Sequence, residues 1–380
     1  IIGDKTGRRN AFILYEAIHI ASMVVGAFSP NMDFLIACRF VMGVGLGALL
    51  VTLFAGFTEY MPGRNRGTWS SRVSFIGNWS YPLCSLIAMG LTPLISAEWN
   101  WRVQLLIPAI LSLIATALAW RYFPESPRWL ESRGRYQEAE KVMRSIEEGV
   151  IRQTGKPLPP VVIADDGKAP QAVPYSALLT GVLLKRVILG SCVLIAMNVV
   201  QYTLINWLPT IFMTQGINLK DSIVLNTMSM FGAPFGIFIA MLVMDKIPRK
   251  TMGVGLLILI AVLGYIYSLQ TSMLLITLIG FFLITFVYMY VCYASAVYVP
   301  EIWPTEAKLR GSGLANAVGR ISGIAAPYAV AVLLSSYGVT GVFILLGAVS
   351  IVVAIAIATI GIETKGVSVE SLSIDAVVNK

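Results

Sequence analysis

Glu16 and His19 are the two residues of this chain whose types and spacing best suit proton transfer. They are three positions apart, which places both side chains on one face of a helix, and His19 is the single histidine of the chain. A carboxylate beside an imidazole in an apolar segment can relay protons. A structural alternative stays open, in which Glu16 hydrogen-bonds to a neighbour within the helix bundle and His19 is a satisfied core residue.

Charged residues also recur in two matched sets, separated by about 240 positions along the chain. Asp4 corresponds to Asp245 in this repeat, Arg66 corresponds to Arg310, and the motif that begins at Glu125 corresponds to the one that begins at Glu363. Charges at the ends of apolar helices are costly unless they are paired. The alternative is that the arginines anchor the helix ends and the carboxylates are incidental. The predicted ion-pair clusters are Asp4 with Arg8 and Arg9, Glu59 with Arg66, Asp245 with Arg249, and Glu301 with Arg310.

Two arginines lie inside apolar segments, where an arginine is costly and is by default a functional hypothesis. Arg39 is a candidate for proton coupling; alternatively, with Asp33 six residues away, it could extend to the lipid headgroups as a surface anchor. Arg320 could bind a carboxylate of the substrate, or it could pair with Glu301 from within the helix bundle.

One polar helical face is the best candidate for substrate binding. Asn198, Gln201 and Tyr202 follow the i, i+3, i+4 spacing of a single face. Amide and aromatic groups suit a small polar or aromatic metabolite, although aromatic residues in spans more often serve in packing or in interface belts. The other predicted cavity residues are Asn78, Trp79, Asn206, Trp207, Tyr288 and Tyr293.

The elements that must position these residues are transmembrane helices. Apolar residues make up 57% of the chain, charged residues make up 13%, and the mean hydropathy is +0.77. A soluble chain carries about a quarter charged residues, and a helical span needs ~20 mostly apolar residues. The composition therefore predicts an all-α membrane protein. The ten predicted spans cover residues 11–29, 34–56, 69–94, 103–122, 184–206, 222–244, 252–270, 273–298, 312–335 and 341–361.

The net charge of +8 reflects membrane topology and does not indicate nucleic-acid binding. When the first residues are placed in the cytoplasm, the loops on that side carry nearly all Lys and Arg residues. The opposite loops carry only Arg102 and Lys220. By the positive-inside rule, both ends of the chain are predicted to be cytoplasmic.

The spans divide into two halves joined by one hydrophilic linker. Residues 1–122 form an N-terminal half with four spans, and residues 123–183 form a cytoplasmic linker with surface helices. Residues 184–361 form a C-terminal half with six spans, followed by a cytoplasmic tail at 362–380. Two parallel halves are typical of transporters that rock around a central site. Because the halves differ by two spans, the pattern predicts that two further helices precede residue 1.

A series of motifs resembles those of the major facilitator superfamily, and more narrowly its sugar-porter-like and metabolite:proton symporter branches. The motifs are Gly3-Asp4 with Gly7-Arg8-Arg9, Arg39-Phe40 with Gly43, Gly45 and Gly47, Glu59 with Arg66-Gly67, Pro124-Glu125-Ser126-Pro127-Arg128-Trp129-Leu130, Pro300-Glu301 with Pro304 and Arg310-Gly311, Gly319-Arg320, and Glu363-Thr364-Lys365-Gly366. The resemblance implies two pseudo-symmetric helical halves and alternating access, with the ion-pair clusters closing the cytoplasmic side. It favours the pairing of Arg320 with Glu301, and it implies location in a bacterial inner membrane.

Departures from the hexose-carrying members of that family bear on the substrate. The positions of their paired glutamines and paired tyrosines read Ala196-Met197 and Asn206-Trp207 in this chain. Their tryptophan ahead of the Pro-Glu loop is Ala296. These departures, within the resemblance to the symporter branch, imply a small polar metabolite, such as an organic acid, carried together with protons. A hexose transporter and a non-transporting nutrient sensor on the same fold are the alternatives.

Other function classes have little support in the sequence. His19 is the only histidine, so any Ser-His-Asp arrangement would have to include it. The sequence also contains no phosphate-binding loop motif. The four cysteines all fall within spans and lack the spacing of a zinc site. We therefore expect no catalytic residue, no metal and no cofactor. The expected partners are a small-molecule substrate, membrane lipid and protons, without nucleic acid, and the chain is expected to be a monomer.

Overall fold

The computed structural model describes residues 6–60, 66–155, 157, 174–304 and 307–365, and all regular structure among them is helical. The first helices are α1 (Arg8–Ala27), α2 (Met32–Tyr60), α3 (Arg66–Asn78), α4 (Ser80–Leu91) and α5 (Ala97–Tyr122). The shorter helices α6 (Pro127–Ser132), α7 (Tyr136–Thr154) and α8 (Tyr175–Leu178) follow. The later helices are α9 (Gly181–Thr214), α10 (Leu219–Met230), α11 (Gly232–Val243), α12 (Arg249–Ser268) and α13 (Met273–Cys292). A π-helical turn, Tyr293–Tyr298, leads into α14 (Val299–Glu301), and α15 (Lys308–Ile360) comes last.

Eight segments of the described chain are helical, long enough and apolar enough to cross a membrane. The backbone hydrogen bonds of a helix are satisfied within the helix itself, so such segments can enter the hydrocarbon layer without unpaired polar groups. The prediction of an all-α membrane fold is confirmed. The count of eight differs from the ten predicted spans at two places.

The first difference lies at residues 69–94, which form two helices that meet at Trp79. Pro82 has no backbone N–H, so it cannot donate to the carbonyl of Asn78, and the helical ladder is interrupted there. The two pieces, α3 with 13 residues and α4 with 12, are each too short to qualify as a span alone.

The second difference lies in α15, which contains both of the last two predicted spans. The element is interrupted at Gly338, whose φ of 65° and ψ of −159° are not helical. Residues with a Cβ rarely adopt this conformation, so a glycine is required at the kink. The kink therefore separates the predicted spans 312–335 and 341–361 within one long element.

The chain divides into two compact units. Unit 1 comprises Ile1–Ser70 and Gly90–Asp165, and unit 2 comprises Ser71–Met89 and Asp166–Lys380. The sequence repeat assigns residues 71–89 to the N-terminal half, so the compact units and the predicted halves differ at this segment. Aromatic packing joins this segment to the rest of unit 2, where the Tyr81 ring lies 5.1 Å from the ring of Tyr288.

Unit 1 is built on α1, which packs against both α2 and α5. Gly45 of α2 permits this close approach, since a Cβ at that position would lie only 3.1 Å from the backbone N of His19. The helices α6 and α7 form a small cluster of their own around Trp129 and Leu130. The side chain of Ser126 begins α6 by accepting a hydrogen bond from the N–H of Trp129 at 3.3 Å.

Unit 2 contains the larger apolar core, in which α9 and α12 pack against α15, and α11 packs against α13. The contact between α11 and α13 depends on glycine. A Cβ at Gly236 would lie closer than van der Waals contact to the backbone carbonyl oxygen of Thr285. Small residues of this kind let transmembrane helices approach backbone to backbone.

We expect Gly236→Ala to destabilise the protein by about 1–3 kcal/mol, because the obstructing atom belongs to the backbone and the two helices must separate. Gly255→Ala in α12 is the matched control, since a Cβ at Gly255 meets no atom within 4 Å. Thermal unfolding of both variants in the same detergent measures the difference. Equal melting temperatures for the two variants would contradict this account of the α11–α13 contact.

Candidate functional site

Arg249 is the centre of an ionic cluster at the start of α12. Its guanidinium Nε and Nη2 donate to the two carboxylate oxygens of Glu301 at 3.0 and 3.1 Å. Nη2 also donates to Asp245 at 3.2 Å, and Thr364 donates its hydroxyl to Glu301 at 2.6 Å. Arg249 is 6% exposed, so its charge depends on these partners for compensation.

Glu363 binds the N-terminal end of the same helix. Its carboxylate accepts hydrogen bonds from the backbone N–H groups of Arg249 at 2.7 Å, Lys250 at 3.1 Å and Lys365 at 3.1 Å. Partial burial raises the pKa of Glu363, but these donors and the Arg249 charge outweigh it and hold the pKa below its usual value. The carboxylate therefore stays charged at neutral pH and compensates the positive end of the helix.

Unit 1 repeats this arrangement at the start of α1. Glu125 accepts hydrogen bonds from the backbone N–H groups of Arg8 at 2.6 Å and Arg9 at 3.2 Å. The Arg9 side chain also donates to the backbone carbonyl of Trp120. The carboxylates of Glu125 and Glu363 thus each accept hydrogen bonds from the backbone N–H groups at the start of a helix in their own unit. The sequence repeat indicated that the two motifs correspond, but it did not indicate that they bind helix N-termini.

The structure gives Glu301 a different ion-pair partner from the one predicted. Glu301 pairs with Arg249, and the Arg310 guanidinium instead lies over the ring of Tyr175 at 5.1 Å. The predicted pairing of Asp245 with Arg249 is present, with Asp245 largely exposed. Asp4 lies outside the described residues, and so do the side chains of Glu59 and Arg66.

Arg186 is a buried basic residue that the sequence analysis does not single out. It is 4% exposed, and its Nη1 donates to the backbone carbonyl of Ile302 at 2.7 Å. This bond ties α9 to the loop that follows Glu301. In the sequence, Arg186 lies beside Lys185 at the end of the predicted linker, so nothing there distinguishes it from an exposed basic residue.

Arg320 and Tyr202 form a polar contact on the accessible surface of unit 2. The Arg320 Nη1 donates to the Tyr202 hydroxyl at 2.7 Å. Arg320 is exposed and lies about 18 Å along α15 from its first residue, by the rise of a helix. Gly323 makes room for the Tyr202 ring, since a Cβ there would lie 3.1 Å from it. The predicted pairing of Arg320 with Glu301 is not the one observed, because Glu301 binds Arg249.

The neighbouring cavity candidates on α9 fall into two groups. Gln201 and Trp207 are half-buried and Asn206 is exposed, so they lie beside Tyr202 on an accessible part of the helix. Asn198 is 3% exposed and donates to the carbonyl of Leu194 at 2.7 Å. Its amide therefore hydrogen-bonds to the backbone of its own helix and does not face an open cavity.

The two tyrosine candidates, in α13 and its π-helical extension, are core residues. Tyr288 is 1% exposed and Tyr293 is fully buried. The Tyr293 ring stacks on that of Tyr298 at 5.1 Å. Of the remaining predicted cavity residues, Asn78 donates to the carbonyl of Ser74 at 2.7 Å, and the exposed Trp79 ring packs edge-on against Phe231 at 6.3 Å.

The proton-coupling candidates lie in unit 1. Glu16 is 5% exposed, and its Oε2 lies 3.9 Å from the Nδ1 of His19. Arg39 is exposed on α2 and has no ion-pair partner among the described residues. Within the described part of the chain, no group of three or more His, Cys, Asp or Glu residues is arranged to hold a metal ion.

Known transport proteins are similar to this chain in sequence and in fold. A family model described as Major Facilitator Superfamily matches residues 1–327. The inner membrane metabolite transport protein YdjE of Escherichia coli is 44% identical over 98% of this chain and 82% of its own length. The niacin transporter NiaP of Acinetobacter baylyi is 26% identical over 98% of this chain and 83% of its own.

Solved structures agree with the fold. The inward-open xylose transporter XylE from E. coli superposes with a TM-score of 0.73 at 17% identity, covering 97% of this chain and 83% of that one. The proton:xylose symporter XylE bound to 6-bromo-6-deoxy-D-glucose gives a TM-score of 0.65 at 21% identity, with the same coverage. At this level of identity the likeness concerns the fold alone. Together with the family model and the relative at 44% identity, it leads to one conclusion: the chain belongs to the Major Facilitator Superfamily.

Proposed function

We propose that this chain is a secondary active transporter that carries a small organic acid across the membrane together with protons. The observation that carries the proposal is Arg320, an exposed arginine deep within α15 whose guanidinium is oriented by Tyr202 at 2.7 Å. Charged residues inside membrane spans commonly mark the path of a substrate or an ion.

The chemistry of this contact favours a carboxylate. A guanidinium offers five N–H donors in a planar fork, which matches the two oxygens of a carboxylate. The contact with Tyr202 is to a neutral hydroxyl, and Arg320 has no carboxylate partner among the described residues. A substrate carboxylate would therefore neutralise a charge that is costly in an apolar surrounding.

The positions that bear on a sugar substrate support the same choice. Ala196 and Met197 have apolar side chains and are 0% and 8% exposed, so they offer neither a polar group nor an accessible surface to the hydroxyls of a hexose. Among the relatives, NiaP is named as a transporter of niacin, which is an aromatic carboxylic acid. XylE is named as a proton:xylose symporter, which keeps a sugar as the second candidate substrate and favours proton coupling in either case.

Alternating access would use the ionic clusters at the starts of α1 and α12. Transporters of this architecture need contacts that close one side and then open. The Arg249–Glu301 pair joins α12 to α14, and its charge-assisted bonds suit a closed state that can be broken. In the proposed topology both clusters lie on the cytoplasmic side, and the halves that move are residues 1–122 and 184–361, joined by the linker 123–183.

A ligand panel tests the substrate class. We expect nicotinate, benzoate or lactate to raise the melting temperature of the full chain in detergent, and to raise it more at mildly acidic than at neutral pH. Xylose and glucose serve as the sugar arm of the panel. Stabilisation by a sugar and by none of the acids would contradict the proposal. Stabilisation by an acid that liposomes carrying the chain do not take up would contradict transport and support a sensor.

A further inference from the structure

Glu16 and His19 form a buried acid–imidazole pair within the first described span. Glu16 is the ninth residue of α1, so it lies about 12 Å along the helix from its first residue by the helical rise. It is 5% exposed, and the His19 side chain is 14% exposed. The carboxylate Oε2 and the imidazole Nδ1 are 3.9 Å apart.

The two facing atoms lack other partners. Neither Glu16 Oε2 nor His19 Nδ1 has a hydrogen-bond partner among the described residues, and both atoms are buried. Buried polar atoms in native proteins are nearly always hydrogen-bonded. A purely structural glutamate would be expected to have a hydrogen-bond partner of its own, as the Ser22 hydroxyl has in the carbonyl of Ile18, one turn away in the same helix, at 2.7 Å.

Among the described residues, the helices that pack most extensively against α1 are α2 and α5, and neither supplies another charge at this level of the helix. On α2, residues 40–58 contain no titratable or charged side chain, and the nearest such residues are Arg39 and Glu59. On α5, residues 103–120 contain none either, and Arg102 donates to the carbonyl of Ala27 at the far end of α1.

We propose that Glu16 and His19 together bind the transported proton. The ionised glutamate and neutral imidazole carry one negative charge; binding one proton from the uptake side makes the pair neutral, and releasing it on the other side restores the charge. A net charge is far more costly than a neutral pair in an apolar surrounding. The packing around α1 is thereby coupled to the protonation of the pair. This inference rests on the proposed function as a proton symporter.

The first test needs no substrate, because the proton itself is the probe. His19 is the single histidine, so the full chain labelled with ¹⁵N-histidine gives the signal of one imidazole in lipid nanodiscs. We expect that signal to change when the pH is lowered and the pair binds a proton. We expect Glu16→Gln to move this transition, and Glu98→Gln, at an exposed glutamate in the first turn of α5, to leave it in place.

Either of two results would overturn the pair as a proton site. One is a histidine signal that does not change when the pH is lowered in the unaltered protein, a measurement that does not depend on any variant folding. The other is a transition that Glu16→Gln leaves unchanged. Both can be observed even if no acid of the panel is transported, so failure of the proposed function and failure of this inference are separate outcomes.

The second test uses liposomes and the panel acids as probes. With Glu16→Gln we expect exchange of labelled for unlabelled acid to continue, while accumulation driven by a pH gradient is lost. Glu98→Gln should retain both. Full accumulation by Glu16→Gln would overturn the inference and leave symport itself intact. Transport of no panel acid by the unaltered protein would count against the proposed function only. The histidine signal would then still show whether Glu16 and His19 bind a proton.

Discussion

Replacing Arg320 by Gln is expected to weaken binding of the transported acid by about 10- to 100-fold. The loss of a charge-assisted hydrogen bond costs about 1.5–3 kcal/mol, and each 1.4 kcal/mol is a factor of about ten in affinity. The reason lies in the geometry of the guanidinium, which is exposed on α15 and oriented by the Tyr202 hydroxyl at 2.7 Å. Calorimetric titration with the acid that most stabilises the chain measures the change.

Two further variants separate the charge from the shape of the site. Arg320→Lys keeps the positive charge and loses the planar fork, so its affinity should fall between those of Gln and Arg. Tyr202→Phe removes one neutral hydrogen bond, worth about 0.5–1.5 kcal/mol, and should weaken binding by less than Arg320→Gln. If Arg320→Gln binds the acid as well as the unaltered protein does, the carboxylate site lies elsewhere.

Replacing Arg249 by Ala is expected to lower the stability by about 2–3 kcal/mol and to abolish uptake. Removing one partner of a fully buried ion pair costs about 3–5 kcal/mol, and the cost here is smaller because the Glu301 side chain is 34% exposed. The change leaves Glu301 with the Thr364 hydroxyl as its described partner. Thermal unfolding measures the stability, and radiolabelled uptake into liposomes measures transport.

The cluster provides its own controls for this second prediction. Asp245→Asn removes a carboxylate whose side chain is 91% exposed, so the loss of stability should be about 0–1 kcal/mol. Lys250→Ala changes the adjacent basic residue, whose backbone N–H still reaches Glu363, and should leave uptake near its original level. Normal uptake by Arg249→Ala at normal expression would show that this cluster does not take part in gating.

Hydropathy and short-range spacing are properties of the sequence by itself, and they determined the membrane fold. The apolar runs predicted the positions of the helices, because an isolated helix satisfies its own backbone in lipid. The two places where the helices differ from the predicted spans also have local causes in the sequence. Pro82 interrupts the helical hydrogen bonds near Trp79, and Gly338 permits the kink in α15. The repeat also indicated that Glu125 and Glu363 occupy equivalent positions.

Only the tertiary structure decided which residues meet. Arg249 and Glu301 are 52 positions apart, and no periodicity within a helix relates them, so the sequence offered Arg310 as an equally good partner. The same holds for Arg320, which binds Tyr202 from another helix, and for Tyr293, which is buried against Tyr298. Charge, polarity and helical phase are local and can be read along the chain. The partner of a side chain depends on how helices pack across the bundle, which is where the candidate site is made.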